Sequence, residues 1–514
     1  MSSSAKPLLL TWLLSLGLVL PFVDKPVHID DANFLVLARG AAADPWRPHA
    51  IDINWQGTTE RAFDVLSNPP GIGWWLAPVH DASVMIQHLW MLPWLLLAGW
   101  GCLALGRALS ATDADRSGIS AAALLMSAPI VALAAQALTP DLPLFACAVA
   151  GIGGFLGARR FGWAWALLAG SAALFRYSGL CLVPLLIYAG LQRSPRRALE
   201  GAAAAIPFGL LALHDLHAYG QVHFIAMTGF QGVSNTGLET FRKGAAALAM
   251  LGGVGLLPVL TARRAGVPGA IAGALVGLGA ALLSAQSMAA AIPTVVFCAA
   301  GGAAFSTLRA RQSADRLLVA WAVGGLVFLL GLRFMAARYW LPFLPALVLA
   351  ALRLPRGEAS SRRVIGAVAL NALVTLGVSV DDRAFARAQR AAAMTIAQTL
   401  EPGRFAGHWG WQHYLEQAGW TAIEDEGAPG ALLVSSAAAW PQDPDPKACL
   451  TEVQRFELAD AWWGPRVHTA AGGANLHAFL VAGDPPVETY APWTLADDPY
   501  DVITVERACG AGAE

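Results

Sequence analysis

Apolar runs of helical length recur along the chain from its start to about residue 380, separated by short polar junctions. About thirteen are present, near 7–23, 84–106, 118–136, 142–158, 161–177, 179–191, 198–213, 244–261, 266–286, 288–306, 317–333, 339–353 and 364–380; some are short or run together, so eleven or twelve is the lower count. A membrane-crossing helix needs roughly 20 apolar residues, and the pattern predicts a multi-pass bundle. Every second junction is rich in arginine: Arg107 and Arg116, Arg159 and Arg160, Arg193 to Arg197, Arg263 and Arg264, Arg309 to Arg316, and Arg353 to Arg363. The junctions between them are nearly free of Lys and Arg, so the positive-inside pattern predicts an N-terminus inside and a C-terminus outside. The first run carries Lys6 as its basic flank, and no small-x-small site closes it before Val23-Asp24. It reads as an uncleaved span rather than a removed signal.

Two segments break the pattern. The loop 24–83 carries DDANFLVLARG and LSNPPGIGWW, with Phe34, Leu35, Leu37 and Ala38 placed to lie along the membrane interface. Beyond residue 380 the chain is less apolar and has no further spanning run; a helix at 384–400, strands at ALLVSS, LTEVQRFEL and NLHAFLVA, and connectors such as WPQDPDP predict a small α+β unit. The expected fold class is a multi-pass α-helical membrane protein with a small α+β soluble C-terminal domain. Its domains are 1–380, including the outer loop 24–83, and 381–514.

Composition agrees. Of 514 residues 56% are hydrophobic and 13% charged, against roughly 25% charged in an ordinary globular chain. A net charge of −1 supplies no basic field for nucleic acid.

Candidate chemistry gathers on the expected outer face. Asp30 and Asp31 follow the first span, Asp141 lies in QALTPDLPL before the fourth, and Arg338-Tyr339 opens RYWLPFLP; Arg176 and Arg333 face the same way. A carboxylate there can take a proton from an acceptor hydroxyl while a guanidinium holds a departing phosphate. Plainer roles compete. Asp30 and Asp141 are each placed to cap a helix, and Arg338 to snorkel, although on the side that the charge rule depletes of arginine.

Taken together, the acidic pair, Pro69-Pro70 later in the same loop, the Thr139-Pro140-Asp141 turn, the Phe-Arg-Tyr-Ser-Gly element from Phe175 to Gly179 and the Arg-Tyr-x-x-Pro-x-x-Pro run from Arg338 to Pro345 resemble the protein O-mannosyltransferase-like, or family 39, glycosyltransferases. The bacterial 4-amino-arabinose lipid A transferases are related members. The resemblance covers roughly residues 5–380 and implies a C-type membrane glycosyltransferase of the bacterial inner membrane and cell envelope, with its C-terminal domain periplasmic. It implies a polyprenyl-phosphate sugar as donor, whether hexosyl or pentosyl, and a lipid, glycan or protein acceptor. Asp30 would be the catalytic carboxylate, Asp31 and Asp141 supporting acids, and Arg338, Tyr339, Arg176 and Asn68 the phosphate side. Transfer would be a single, inverting displacement. Ser67 and Asn68 stand where many members place His or Lys before the prolines, which leaves a divalent metal an open question. The rival reading is a transporter or flippase of a lipid-linked sugar.

His408, His413, His214 and His217 lack zinc-finger or HExxH spacing; the first two are assigned to the fold, and His217 with Asp215 stays open as a lining of the cavity. Most tryptophans read as interface anchors, with Trp74 and Trp75 beside the Pro-Pro element the exceptions. Cys102, Cys147, Cys181 and Cys298 lie in expected spans, whereas Cys449 and Cys509 fall in the expected outer domain and are expected to pair.

Sidedness is directly measurable. In a Cys-free background, single cysteines at Ser67 and just after Asp381 should label from outside, and those at Arg160 and Arg363 from inside; cytoplasmic labelling at position 67 would reverse the topology.

Overall fold

The computed structural model describes residues 5–509 except 56, 111–112, 232–235, 256–265, 333, 355–360, 425–429, 443–448, 460–461, 478, 481–487 and 496. Arg263, Arg264, Arg333, Arg356, the end of the run 244–261 and parts of WPQDPDP and NLHAFLVA lie outside the described residues. The apolar runs fall on helices, but unevenly. Among the described residues six helices are long and apolar enough to cross a membrane: Ala5–Phe22, Val84–Ala108, Pro195–Tyr219, Met288–Phe305, Ser313–Leu330 and Ser361–Thr399. Ala114–Met126 and Pro129–Ala135 are long and apolar enough only when taken together and are bent by 65°, at the point where Pro129 has no N–H to continue the ladder. Four further apolar helices have 10–17 residues. The protein is thus a multi-pass membrane protein.

Small residues let its helices close up. A Cβ on Gly252 would collide with the Phe297 carbonyl and one on Gly301 with the Leu248 carbonyl, so Gly237–Val254 and Met288–Phe305 touch backbone to backbone.

The segment expected on the interface is instead interior. Helix Asp31–Ala43 buries Phe34, Leu35, Leu37 and Ala38 in the main core, under helix Gly71–Leu76, whose Gly73 lies against Leu37. Lipid contact is therefore not its driving force; packing within the protein is.

Ser361–Thr399 is one helix of 39 residues, about 58 Å long and so nearly twice the roughly 30 Å of a bilayer's hydrocarbon core. The helix expected at 384–400 is its far end, and position 380/381 falls inside it. Beyond it stands a five-stranded mixed sheet. Arg404–Ala406 runs parallel to Thr421–Ala422 on one side and to Leu432–Ser436 on the other. Asp501–Ala508 is antiparallel to Leu432–Ser436 and to Leu450–Leu458. Two expected strands are present. Of the third, the described residues Phe479–Leu480 pair with Phe334–Met335 just before Arg338 and not with this sheet. The last strand, DVITVERA, alternates buried and half-buried positions but was not anticipated.

Several contacts dock this C-terminal unit on the helices. Asp381 accepts from Val467 N at 2.7 Å and Tyr500 Oη at 2.8 Å and pairs with Arg466. Thr489 and Tyr490 hydrogen-bond Thr294 and Ser284 of the helix bundle.

Cys449 and Cys509 form a disulfide across the sheet, 60 residues apart. Closing that loop restricts the unfolded chain and is worth about 4 kcal/mol in the chain-entropy model. Replacing both by serine should lower the thermal midpoint of the C-terminal unit, and non-reduced peptide mass spectrometry should find the bond in protein from its own membrane.

Candidate functional site

A cavity of about 670 Å³ opens where the loop 24–83, the helix bundle and the C-terminal unit meet. Asp30, Asn68, Asp141, Arg176, Arg338 and Tyr339 all line it. Residues from five distant stretches of sequence thus meet at one cavity.

Asp30 precedes helix Asp31–Ala43 but makes no capping hydrogen bond with its side chain. Its Oδ2 accepts from Arg338 Nη2 at 2.6 Å instead. Asp141, the first residue of helix Asp141–Gly157, is likewise drawn off the helix end. It faces Arg176 Nε at 3.2 Å and Arg338 Nε at 3.7 Å. The arginines flank Tyr339, their guanidinium carbons 4.8 and 5.6 Å from its ring centroid. The result is a chain of alternating charge: Asp30, Arg338, Asp141, Arg176.

That chain is incompletely bonded. Both Asp141 oxygens and the Nε atoms of Arg176 and Arg338 are buried without a hydrogen-bond partner among the described residues. Buried charged atoms in that condition are costly. They converge on the cavity and offer both donors and acceptors to an occupant. Beyond them the wall turns apolar, with Leu180, Cys181, Pro184, Met227 and Phe328. Cys181, expected only to pack within a span, forms part of this wall.

Asp31 does not line the large cavity. It is fully buried, accepting the Leu138 N–H at 2.7 Å and the His28 N–H at 3.3 Å. It thereby ties the Asp30 turn to the Thr139-Pro140-Asp141 turn, which makes it a positioning group. Burial pushes its carboxyl up to about 7.

Among the wall residues that escaped sequence reasoning are Trp55, Trp409, Trp440 and His477. Trp74 and Trp75 do not line the cavity; Trp74 donates to the Pro45 carbonyl and Trp75 packs on Trp90 and Trp94. Trp55 stacks on His408 at 4.0 Å, whose imidazole burial pushes down to about 4, in keeping with a role in the fold. Of five non-glycine residues with positive φ among the described residues, Trp409 (66°) and Trp440 (52°) line the cavity and Ile29 (47°) adjoins Asp30. Such conformations cost on the order of 1–3 kcal/mol each and gather where function needs a fixed direction.

A metal was left open by the sequence. Arg338 stands between Asp30 and Asp141, so that pair already has its cation. The other candidate is His28, Asp382 and His477, whose ligand atoms lie within 4.8 Å of one another. Its nitrogen and oxygen donors would suit a zinc-like ion. However, Lys25 Nζ binds Asp382 Oδ2 at 2.8 Å in the same buried space, and a divalent ion would be set against a buried ammonium. The residues do not fit a metal.

Sequence comparison finds no matching family model and no matching curated protein. Structural comparison finds similarity to the Archaeoglobus fulgidus oligosaccharyltransferase tethered with an acceptor peptide, at 12% identity and TM-score 0.45 over 82% of this chain and 63% of that one. The chain therefore spans less than two thirds of that protein. It is also similar to ArnT from Cupriavidus metallidurans bound to undecaprenyl phosphate (17%, TM-score 0.40, 87% and 94% covered). A third similarity is to arabinofuranosyltransferase AftD from Mycobacteria (15%, TM-score 0.41, 99% and 40% covered).

Asp31 yields a prediction of unusual sign. Its folded pKa lies above the unfolded value of 3.8, so between about pH 4 and 7 the folded state holds the extra proton. Its contribution to stability then falls as pH rises through that window. Thermal midpoints measured from pH 4 to 8 should show the wild type losing stability relative to Asp31→Asn as pH rises through that window.

Proposed function

We propose that the protein transfers a sugar from a polyprenyl-phosphate donor to an acceptor hydroxyl at the outer face of the bacterial inner membrane, as a C-type glycosyltransferase of the family 39 kind. The observation that carries this reading is the set of buried charged atoms, ion-paired but without hydrogen bonds, at the polar end of a cavity whose other wall is apolar. An amphiphile with a charged, hydroxyl-rich head satisfies both ends. Its phosphate oxygens accept from Arg338 and Arg176, its sugar hydroxyls donate to Asp141, and its chain lies along Leu180, Cys181 and Phe328. The motif resemblance over residues 5–380 supports the same donor class.

In this mechanism the incoming phosphate competes with Asp30 for Arg338, which frees the carboxylate. Asp30, the more exposed of the pair's two side chains at 21% against 14%, then takes the proton of the acceptor hydroxyl. The acceptor oxygen forms its bond to the anomeric carbon as the bond from that carbon to the phosphate oxygen breaks. The electron pair leaves with polyprenyl phosphate, whose charge the two guanidiniums meet. One displacement inverts the anomeric centre. Asn68 supplies a neutral contact at the loop side of the cavity, and the C-terminal unit stands outside the cytoplasm.

A purified preparation given labelled polyprenyl-phosphate sugars should release free polyprenyl phosphate, whereas a flippase would leave the donor intact. Asp30→Asn should lower turnover by roughly 10²–10⁴, the usual contribution of a general base, with little change in thermal midpoint. Arg338→Lys should lose on the order of tenfold in donor affinity, since an ammonium lacks the guanidinium fork. An active Asp30→Asn variant would pass the base assignment to Asp141.

A further inference from the structure

Arg338 is gripped from the C-terminal unit as well as by the acids. Its Nη1 donates to the backbone carbonyl of His477 at 2.9 Å, the Ala337 N–H donates to the Leu476 carbonyl, and Phe334–Met335 pairs with Phe479–Leu480. The two short strands cannot hold that register alone, because a pair of two-residue strands makes too few ladder bonds. What anchors them is the His477 imidazole, whose Nε2 lies 2.7 Å from Asp382 Oδ1. A carboxylate only accepts, so that nitrogen carries the proton.

Asp382 is itself a junction. Fully buried in the long helix, it also takes His28 Nε2 at 3.1 Å and Lys25 Nζ at 2.8 Å. His28 begins the turn that presents Asp30, and its N–H meets Asp31, which in turn holds Leu138 ahead of Asp141. One buried carboxylate therefore fixes the backbones that carry the acid pair and the arginine.

We propose that His477 is a positioning residue for Arg338, locked by Asp382, so that the C-terminal unit completes the phosphate-gripping end of the cavity. This rests on the function proposed above and adds a residue that the motif pattern of residues 5–380 does not contain. The reacting groups remain Asp30 and Arg338; His477 acts by setting the direction of the guanidinium.

The test compares full-length His477→Phe, which keeps a ring but no donor, with His477→Gln, whose amide can still donate to Asp382. Binding of undecaprenyl phosphate, release of lipid phosphate from a labelled donor, thermal midpoint and metal content are measured on each. His477→Phe should weaken lipid-phosphate binding on the order of tenfold, the size of one charge-assisted hydrogen bond, and lower turnover with it. His477→Gln should stay within about threefold of wild type. If the Phe variant does not fold, His477→Ala, which only enlarges the cavity His477 lines, makes the same comparison. Wild-type binding and turnover in the Phe or Ala variant would overturn the proposal. So would a Gln variant as weak as Phe together with loss of a stoichiometric metal, which would make the junction a metal site. A wild type that binds lipid phosphate but releases none would defeat the proposed reaction while the binding ratio still decides the role of His477. A wild type that binds none would end both.

Discussion

Two neighbouring carboxylates in a long apolar helix, Asp381 and Asp382, set the frame of this protein. Both are fully buried, and a buried charge must be paired and hydrogen-bonded or the fold does not form. Asp381 is satisfied by Arg466, Val467 and Tyr500 of the C-terminal unit. Asp382 is satisfied by Lys25 and His28 on one side and His477 on the other. The need to neutralise these acids fastens three remote segments to the middle of one helix. The cavity lies in the angle between them.

The site repeats the same logic with a difference. Asp382 accepts from Lys25, His28 and His477, whereas Asp141 meets its two guanidiniums as ion pairs with no hydrogen bond to either oxygen. The first cluster holds segments together and the second is the more receptive. Strain falls on the receptive side as well, at Ile29, Trp409 and Trp440, where a left-handed backbone fixes side chains that an ordinary turn would aim elsewhere.

The acid pair illustrates why adjacent residues need not share a role. Asp30 and Asp31 follow one another, but one faces the cavity and meets a guanidinium, while the other points into protein and accepts backbone N–H groups. Consecutive positions at a helix start diverge by about 100° around the axis. That rotation separates a candidate base from a strut.

The sequence by itself determined the membrane class and the location of the apolar helices, and it singled out Asp30, Asp141, Arg176 and Arg338 as candidates on one face, because apolar periodicity and turn motifs are local properties of the chain. It also marked Cys449 and Cys509 as partners, since they stood apart from the four cysteines in apolar runs. The tertiary structure alone decided the rest. The segment 31–43 became core rather than interface, because burial depends on what packs over it. Phe479–Leu480 paired with the strand before Arg338 and not with the five-stranded sheet, because strand pairing is made between segments and is not written in either one. Trp55, Trp409, Trp440 and His477 joined the cavity for the same reason: none carries a local motif, and each acquires its place only when the C-terminal unit folds back onto the helix bundle.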